Sequence, residues 1–412
     1  MKNLSVKLAL FLNYFVFAIL LNSVGAVILQ MQRNFDVSKA NASVLEAFKD
    51  LPIAITSFLV AAFLPKIGLK KSMLIGLFFI AVICAIMPFA NDFWYFKMLF
   101  LVIGVSFALI KVATFATIGI ITNNDKEHGS FMNYLEAVFM AGVLLGGLLI
   151  SQFVDDLKPE SIAWLNLYWL LSGLSVIAFL LLFFTNIDET DAKIESRSMS
   201  DDFTEMFKIL LKPLCIVFII SIFLYVLIEQ SFSTWLPTFY AEIINAPASM
   251  AIQSAAILAG ATFLGRLLSG FVLLHVKWIY FLSICLIFVA AIVVLVLPIA
   301  TANIINPNIK MSWFNAPYFV YFLPLMGLFL APIYPTLNST ILSSLPKHMH
   351  SSMAGLIVVF SALGGTTGSI ITGHIFQVFN GITAFYFSLI PITIIFISLW
   401  ILYKMIAKNE KM

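Results

Sequence analysis

The chain has 412 residues, of which 62% are hydrophobic and only 10% are charged. Its mean hydropathy of +1.05 lies far above the range of water-soluble domains, so that class is excluded and an integral membrane protein is predicted. The formal net charge of +3 is small. In a membrane protein the positions of the charges carry more information than their sum.

Apolar stretches long enough to cross a bilayer recur along the whole chain. A spanning helix needs about 20 mostly apolar residues, and twelve such stretches lie between short polar breaks. They cover residues 8–30, 45–65, 72–90, 96–122, 130–153, 163–185, 214–240, 248–274, 278–299, 313–342, 351–377 and 382–406. We therefore predict an all-α integral membrane protein with twelve transmembrane helices.

Basic residues are distributed unevenly over the polar breaks. Fifteen fall on the side of both termini and five on the other side, and the last three of the 23 are Lys49, Lys111 and Arg266, inside predicted spans. The positive-inside rule therefore predicts that both termini are cytoplasmic, and we expect a multi-pass protein of the cytoplasmic membrane. The longest polar interval predicts six-helix bundles at 1–185 and 213–412, joined by a cytoplasmic linker at 186–212.

Three charges are crowded at the start of the second predicted span, in "VLEAFKDLP". An ionisable residue at the centre of a spanning helix costs about 2.5–3.5 kcal/mol, so each should face a partner or a cavity. Glu46 and Lys49 are interpreted either as a helix end in the headgroup layer or as gating or structural charges. Asp50 lies one turn deeper than Glu46, and we predict that it faces a central cavity as a proton site or as the counter-ion of Lys49.

Two more ionisable residues lie in the fourth and fifth predicted spans. Lys111 is near the middle of span four, and Glu136 is about two turns inside span five. An ion pair between adjacent helices is the structural interpretation. The functional alternative makes Lys111 a binding group for an anionic or hydroxyl-rich substrate and Glu136 a candidate for proton coupling.

The seventh span ends in "FLYVLIEQSFSTWLPTFY". Glu229, Gln230 and Trp235 are predicted to bind substrate, because carboxylate and amide groups bind paired hydroxyls while a flat ring stacks on a sugar. Burial disfavours the charged form of a carboxyl group, which lets it exchange a proton near neutral pH, so Glu229 is also a predicted coupling residue. Pro237 is predicted to end this helix.

The remaining candidate residues are one arginine and two asparagines, and two glycine runs also lie in the predicted spans. Arg266 in span eight is predicted to hold helix ends together by pairing with carbonyls or an acid, and Asn22 and Asn338 are predicted to contact substrate. The glycine runs "GVLLGG" and "GGTTGS" predict close helix contacts. No Cys/His spacing for a metal is present, so we predict none.

Some of these motifs resemble those of the major facilitator superfamily of secondary transporters. "LPKIGLKKSM" and "GFVLLHVKWI" follow the second helix of each half, and both are short, basic and contain glycine, as expected of duplicated halves. "GATFLGRLLSG" is similar to the glycine-arginine signature of the superfamily. Spans seven, ten and eleven are most similar to the fucose/galactose/glucose proton symporter branch. The residues that carry this likeness are Tyr225, Val226, Glu229, Pro335, Gly364 and Gly365.

The likeness has three departures in the first half. Gly25 and Lys111 stand where fucose members carry acids for coupling and sugar binding, whereas Asn22 is kept. In the superfamily's motif in the loop after helix two, Pro65 stands where an aspartate is usual. The resemblance implies two pseudo-symmetric six-helix bundles and proton-coupled alternating access for a small polar solute, a sugar or sugar-like metabolite first. The alternatives are an exporter of drugs or metabolites and an organic-anion carrier using Lys111.

Other function classes fit the sequence less well. A membrane enzyme needs its polar residues at one interfacial depth, whereas these ionisable groups lie at several depths in five helices, so we predict no enzyme activity. The predicted partners are a small-molecule substrate and the lipid bilayer, without nucleic acid, and the chain is predicted to be a monomer. We predict no cofactor other than a proton gradient, with sodium as the alternative coupling ion.

Overall fold

The structure is a computed structural model that describes residues 4–122, 125–187, 189, 208–302, 311–345 and 349–409. These ranges are helical and contain no strand. The α-helices, in chain order, are α1 (Leu4–Leu21), α2 (Val24–Asn34), α3 (Lys39–Ile67), α4 (Leu69–Ile86), α5 (Phe93–Ile121), α6 (Asp125–Gln152), α7 (Leu167–Phe183), α8 (Pro213–Glu242), α9 (Ala248–Val272), α10 (Trp278–Ala302), α11 (Phe319–Leu325), α12 (Gly327–Leu330), α13 (Ile333–Ser343), α14 (His350–Val378), α15 (Gly381–Phe387) and α16 (Leu389–Asn409).

Eleven helical stretches within these ranges are long and apolar enough to cross a membrane, and they coincide with eleven of the twelve predicted spans. The other predicted span, 45–65, lies inside α3, the helix that carries Glu46, Lys49 and Asp50. Many large apolar side chains on these helices are exposed, such as Phe78 and Ile287, as expected of surfaces that face lipid. The predicted all-α transmembrane architecture is confirmed.

Three predicted spans are interrupted, and one predicted break is absent. The first span is divided between α1 and α2 at Asn22 and Ser23, the tenth is divided into α11, α12 and α13, and the twelfth is divided between α15 and α16 at Ser388. Pro237 does not end its helix, because α8 continues to Glu242, so that prediction is wrong. The residues from Thr234 to Tyr240 are all buried, and tertiary packing of this kind lets a membrane helix accommodate a proline.

The chain divides into two compact units. The first comprises Met1–Val37 and Leu45–Arg197, and the second comprises Ser38–Val44 and Ser198–Met412. Within the second unit the Lys39 ammonium lies 3.0 Å from the Glu242 carboxylate, and the Ala40 N–H donates to Gln377 at 2.9 Å. Residues 188 and 190–207 of the predicted linker lie outside the described residues, so the predicted domain bounds stay predictions.

Glycines permit close helix contacts in both units, as the two glycine runs predict. In the first unit, a Cβ on Gly142 of α6 would lie 2.7 Å from the Cβ of Ala18 in α1. In the second, a Cβ on Gly368 of α14 would lie 2.3 Å from the Leu227 carbonyl oxygen in α8. Such approaches exclude any larger residue, so the prediction of tight packing is confirmed.

The start of α4 is held by a carboxylate from a distant part of the chain. Gly68 precedes the helix at φ 91°, and the Glu189 side chain accepts hydrogen bonds from the backbone N–H groups of Leu69 at 3.0 Å and Lys70 at 2.8 Å. The Lys70 ammonium donates to the Phe183 carbonyl at 2.8 Å. Pro65 takes the place of the motif's acid, but Glu189 brings a carboxylate to this loop. It satisfies backbone N–H groups that the start of a helix leaves without partners.

Candidate functional site

The three charges of α3 form one buried ionic cluster in the first unit. The Lys49 ammonium lies between two carboxylates: it is paired with Glu46 and stands 3.5 Å from Asp50. It also lies 3.5 Å from the Leu21 carbonyl oxygen at the end of α1. Their spacing of three and four positions along α3 places the charged groups on one side of the helix. We call Glu46, Lys49 and Asp50 the α3 charge cluster.

Burial distinguishes the two acids of the α3 charge cluster. The Glu46 side chain is 0% exposed and Lys49 only 8%, whereas Asp50 is 14% exposed. Glu46 and Lys49 do not end a helix, because α3 begins at Lys39, and they form a buried ion pair. When all three groups are ionised the cluster carries one negative charge in excess. Asp50, the more exposed and more weakly paired acid, is the group best placed to exchange a proton.

Lys111 lies in an aromatic environment in the same unit. Its ammonium is 5.7 Å from the centre of the Phe107 ring and 5.9 Å from that of Phe115, distances at which a cation is attracted to a ring face. The Tyr14 ring lies 6.3 and 6.4 Å from the same two rings. The Glu136 charge acts on Lys111, but no ion pair joins the two side chains in the described part of α5 and α6, so the predicted bridge is not formed.

Two buried polar side chains near these aromatic rings have no hydrogen-bond partner within the described ranges. They are the hydroxyl of Tyr14 and both polar atoms of the Asn13 amide. Buried polar groups are normally satisfied, and those that are not are explained by a ligand or water. Sequence reasoning did not include Tyr14; its hydroxyl, next to Asn13 in a mostly apolar α1, was the available signal.

Glu229 belongs to a hydrogen-bonded cluster in the second unit. The Tyr225 hydroxyl, one turn earlier on α8, donates to the Glu229 carboxylate at 2.9 Å. The Tyr225 and Tyr334 rings are 5.9 Å apart, and the Tyr334 hydroxyl lies 3.2 Å from that of Ser361. The Arg266 charge acts on both Glu229 and Tyr225. We call Tyr225, Glu229, Tyr334 and Ser361 the hydroxyl cluster; sequence reasoning did not assign Tyr334 and Ser361 to it.

The remaining predicted binding residues differ in their surroundings. Gln230 is half-buried and lies 3.3 Å from the Ser233 hydroxyl. Trp235 is fully buried, its indole N–H donates to the Ser369 carbonyl at 3.1 Å, and its ring stacks on Phe376. This ring has no free face for a sugar, so we leave Trp235 out of the proposed site.

The two asparagines and Arg266 complete the predicted set. Asn22 is exposed at the break between α1 and α2 and donates to the Ala18 carbonyl at 2.9 Å. The side-chain oxygen of Asn338 is buried and accepts no hydrogen bond from the described residues. The Nε of Arg266 is likewise buried without a hydrogen-bond partner in those ranges, and its predicted pairing with a carbonyl or an acid stays a prediction.

Comparisons with known proteins agree on one family. A sequence model described as Major Facilitator Superfamily matches residues 9–369. A relative named Protein TsgA homolog, from Buchnera aphidicola subsp. Acyrthosiphon pisum, is 24% identical over 409 residues and covers 97% of this chain and 95% of its own.

Solved structures share the fold at low identity. The D-xylose-proton symporter has a TM-score of 0.72 with 13% identity, covering 98% of each chain. The fucose transporter FucP, in its outward conformation, has a TM-score of 0.62 with 15% identity, covering 98% of this chain and 99% of its own. Identities this low show a common fold and leave the solute open.

Proposed function

Because the chain belongs to the major facilitator superfamily and is therefore a secondary transporter rather than an enzyme, we propose that it moves a small hydroxyl-rich solute, a sugar or sugar-like metabolite, by proton-coupled alternating access. The coarse activity follows from the family match over residues 9–369. The coupling ion and the class of solute rest on the side chains described above. We propose the cytoplasmic membrane as its location, with both termini in the cytoplasm, from the uneven distribution of basic residues.

The proposal of proton coupling rests on the α3 charge cluster. It contains two carboxylates and one ammonium, so protonation of one acid makes it neutral. A neutral cluster is cheaper to hold in the membrane than a charged one, by about 2.5–3.5 kcal/mol for one central charge. Proton binding therefore changes the relative free energies of conformations that expose or bury the cluster, as coupling requires. Asp50 is the proposed proton site, and Lys49 with Glu46 is its fixed counter-charge.

The hydroxyl cluster supports the class of solute. A carboxylate, two phenol groups and a serine hydroxyl are grouped on α8, α13 and α14. Glu229 and Tyr334 are only half-buried, which leaves acceptors and donors available for the hydroxyl groups of a solute. Aromatic rings beside hydrogen-bonding groups suit a solute with polar edges and apolar faces. Glu229 and Tyr225 are the proposed solute-binding residues of the second unit.

The test is uptake into proteoliposomes under an imposed proton gradient, with a panel of sugars, nucleosides and organic acids. We expect one hydroxyl-rich solute to accumulate when the gradient is present, and not when a sodium gradient replaces it. Asp50→Asn should abolish accumulation but retain exchange of labelled for unlabelled solute, because exchange needs no net proton movement. Glu229→Gln should weaken both processes.

A matched control removes a carboxylate outside the membrane spans. Asp36 is exposed and has φ 49°, a conformation that asparagine also adopts readily, so Asp36→Asn should leave uptake unchanged. If Asp50→Asn accumulates solute as the wild type does, Asp50 is not the coupling site. If no solute of the panel responds to the proton gradient, proton symport itself is wrong.

A second candidate function is transport of an organic anion, and the surroundings of Lys111 favour it. This ammonium has aromatic neighbours, and the polar atoms of Tyr14 and Asn13 that have no partner among the described residues lie in the same unit. The same panel distinguishes the two functions: an anion carrier takes up an organic acid and loses this activity in Lys111→Gln, whereas a sugar carrier retains its preference for neutral solutes.

A further inference from the structure

The second unit contains a cavity that is lined by none of the residues of the hydroxyl cluster. It has a volume of about 600 Å³ and opens where α9 ends, where α10 begins and along α13, all within the second unit. The positive-inside rule predicts that this end of the helices faces the cytoplasm. Its lining residues are Arg266, Ser269, Gly270, Leu273, Val276, Lys277, Trp278, Pro335, Thr336, Ser339 and Thr340.

The lining is basic, and it includes a buried donor that has no hydrogen-bond partner among the described residues. Arg266 and Lys277 supply two positive charges, and the lining residues named above include no acid. The Nε of Arg266 is buried without a hydrogen-bond partner in the described ranges. A buried guanidinium donor without a partner is costly, and an anion in the cavity would satisfy it.

The hydroxyl groups of the lining divide into two kinds. Those of Ser269 and Thr340 donate to the carbonyls of Arg266 and Thr336 at 2.7 and 2.8 Å, which leaves them as acceptors. The hydroxyls of Thr336 and Ser339 make no such bond within the described chain and remain donors. Two cations and two free hydroxyl donors around one cavity match an anion with several oxygens, and a planar guanidinium group pairs with phosphate oxygens in a bidentate manner.

We propose that this cavity, which we call the α9–α10 pocket, binds a phosphate group, carried either by an anionic phospholipid or by a soluble phosphate ester. The surrounding surface is consistent with a lipid source. Leu267, Phe271 and Leu274 at the end of α9 are 52%, 70% and 77% exposed. The Trp278 and Tyr403 rings, which favour the membrane interface, lie 5.9 Å apart beside the pocket. Acyl chains would lie on the apolar surface while the phosphate enters the pocket.

An anion in the α9–α10 pocket would also change the electrostatic field at the hydroxyl cluster. The positive charge of Arg266 acts on Glu229, so an anion paired with Arg266 reduces that field at the proposed solute site. This consequence rests on the proposed function. Binding of the phosphate group does not, because the pocket and its charges are independent of which solute the protein moves.

The experiment measures binding to the purified full-length protein in neutral detergent at constant ionic strength. Short-chain phosphatidylglycerol is compared with short-chain phosphatidylcholine and with inorganic phosphate, by native mass spectrometry for the lipids and by thermal unfolding for all three. We expect phosphatidylglycerol or phosphate to bind. Loss of one charged hydrogen bond should weaken binding about tenfold or more in Lys277→Gln and Arg266→Gln.

Lys404→Gln is the matched control, because Lys404 is exposed and is predicted to lie on the same side of the membrane without lining the pocket. If phosphatidylglycerol binds and inorganic phosphate cannot displace it, the pocket is a lipid site. If only phosphate binds, the pocket is a site for soluble esters. Both outcomes support the proposal. It is overturned if neither probe binds better than phosphatidylcholine, or if Lys404→Gln weakens binding as much as Lys277→Gln. Lys277 is exposed, so its substitution keeps the test valid even if Arg266→Gln fails to fold.

Discussion

Removal of the Lys49 ammonium should destabilise the first unit strongly. Two unit charges 3.5 Å apart, as in the pair of Lys49 and Asp50, attract by about 5 kcal/mol at an effective dielectric constant of about 20. Part of this attraction offsets desolvation of the ions. Since Lys49→Met leaves the fully buried Glu46 without its cation, we expect a loss of about 3–5 kcal/mol in the free energy of unfolding, the cost of breaking a buried pair.

The measurement is reversible unfolding of the purified protein in mixed micelles, monitored by tryptophan fluorescence. Glu46→Gln added to Lys49→Met should restore much of the loss, because it removes the unpaired carboxylate. The deficit of Lys49→Met should also shrink as the pH falls, since a protonated carboxyl group needs no counter-charge. Lys404→Met at an exposed position is the control. A Lys49→Met variant within about 0.5 kcal/mol of wild type, the range of ordinary surface substitutions, would refute a buried ion pair here.

Three further predictions concern single contacts. Tyr225→Phe removes an internal hydrogen bond to the Glu229 carboxylate worth about 1.5–3 kcal/mol, so the free energy of unfolding should fall by about that amount; a variant as stable as the wild type contradicts this bond. Gly368→Ala should lower the unfolding midpoint, because its Cβ would lie 2.3 Å from a backbone oxygen of α8, while Gly173→Ala, with no atom within 4 Å, should not. Glu189→Ala leaves two N–H groups of α4 free and should cost about 0.5–2 kcal/mol in the free energy of unfolding; equal stability contradicts the cap.

The helices could be predicted because their signal is local. A stretch of about 20 apolar residues inserts into a bilayer through the sum of its own transfer free energies, whatever its neighbours are. Eleven spans and α3 therefore lie where hydropathy places them. Local rules failed at Pro237, where the proline alone predicts a helix end but the buried side chains around it keep α8 continuous.

The site was predicted less completely, because a side chain's role depends on groups that are distant in the chain. The spacing of Glu46, Lys49 and Asp50 indicated one cluster, but their burial against α1 and the different exposure of the two acids needed the packed unit. The flat ring of Trp235 suggested a surface on which a sugar stacks, but α14 encloses this ring. Nothing in the sequence near Gly68 indicates that Glu189 supplies its helix cap.

By itself, the sequence determined that the chain crosses a membrane many times and which few ionisable residues lie in its apolar spans, while the division of its basic residues between the two sides stays a prediction. Those properties follow from composition and from the cost of charge in an apolar medium, which acts on each residue separately. The tertiary structure alone decided which acid is enclosed with Lys49, which hydroxyls surround Glu229, and that Arg266 lines a cavity while its Nε has no partner among the described residues. Each of these depends on contacts between helices, and a contact exists only once both helices are packed.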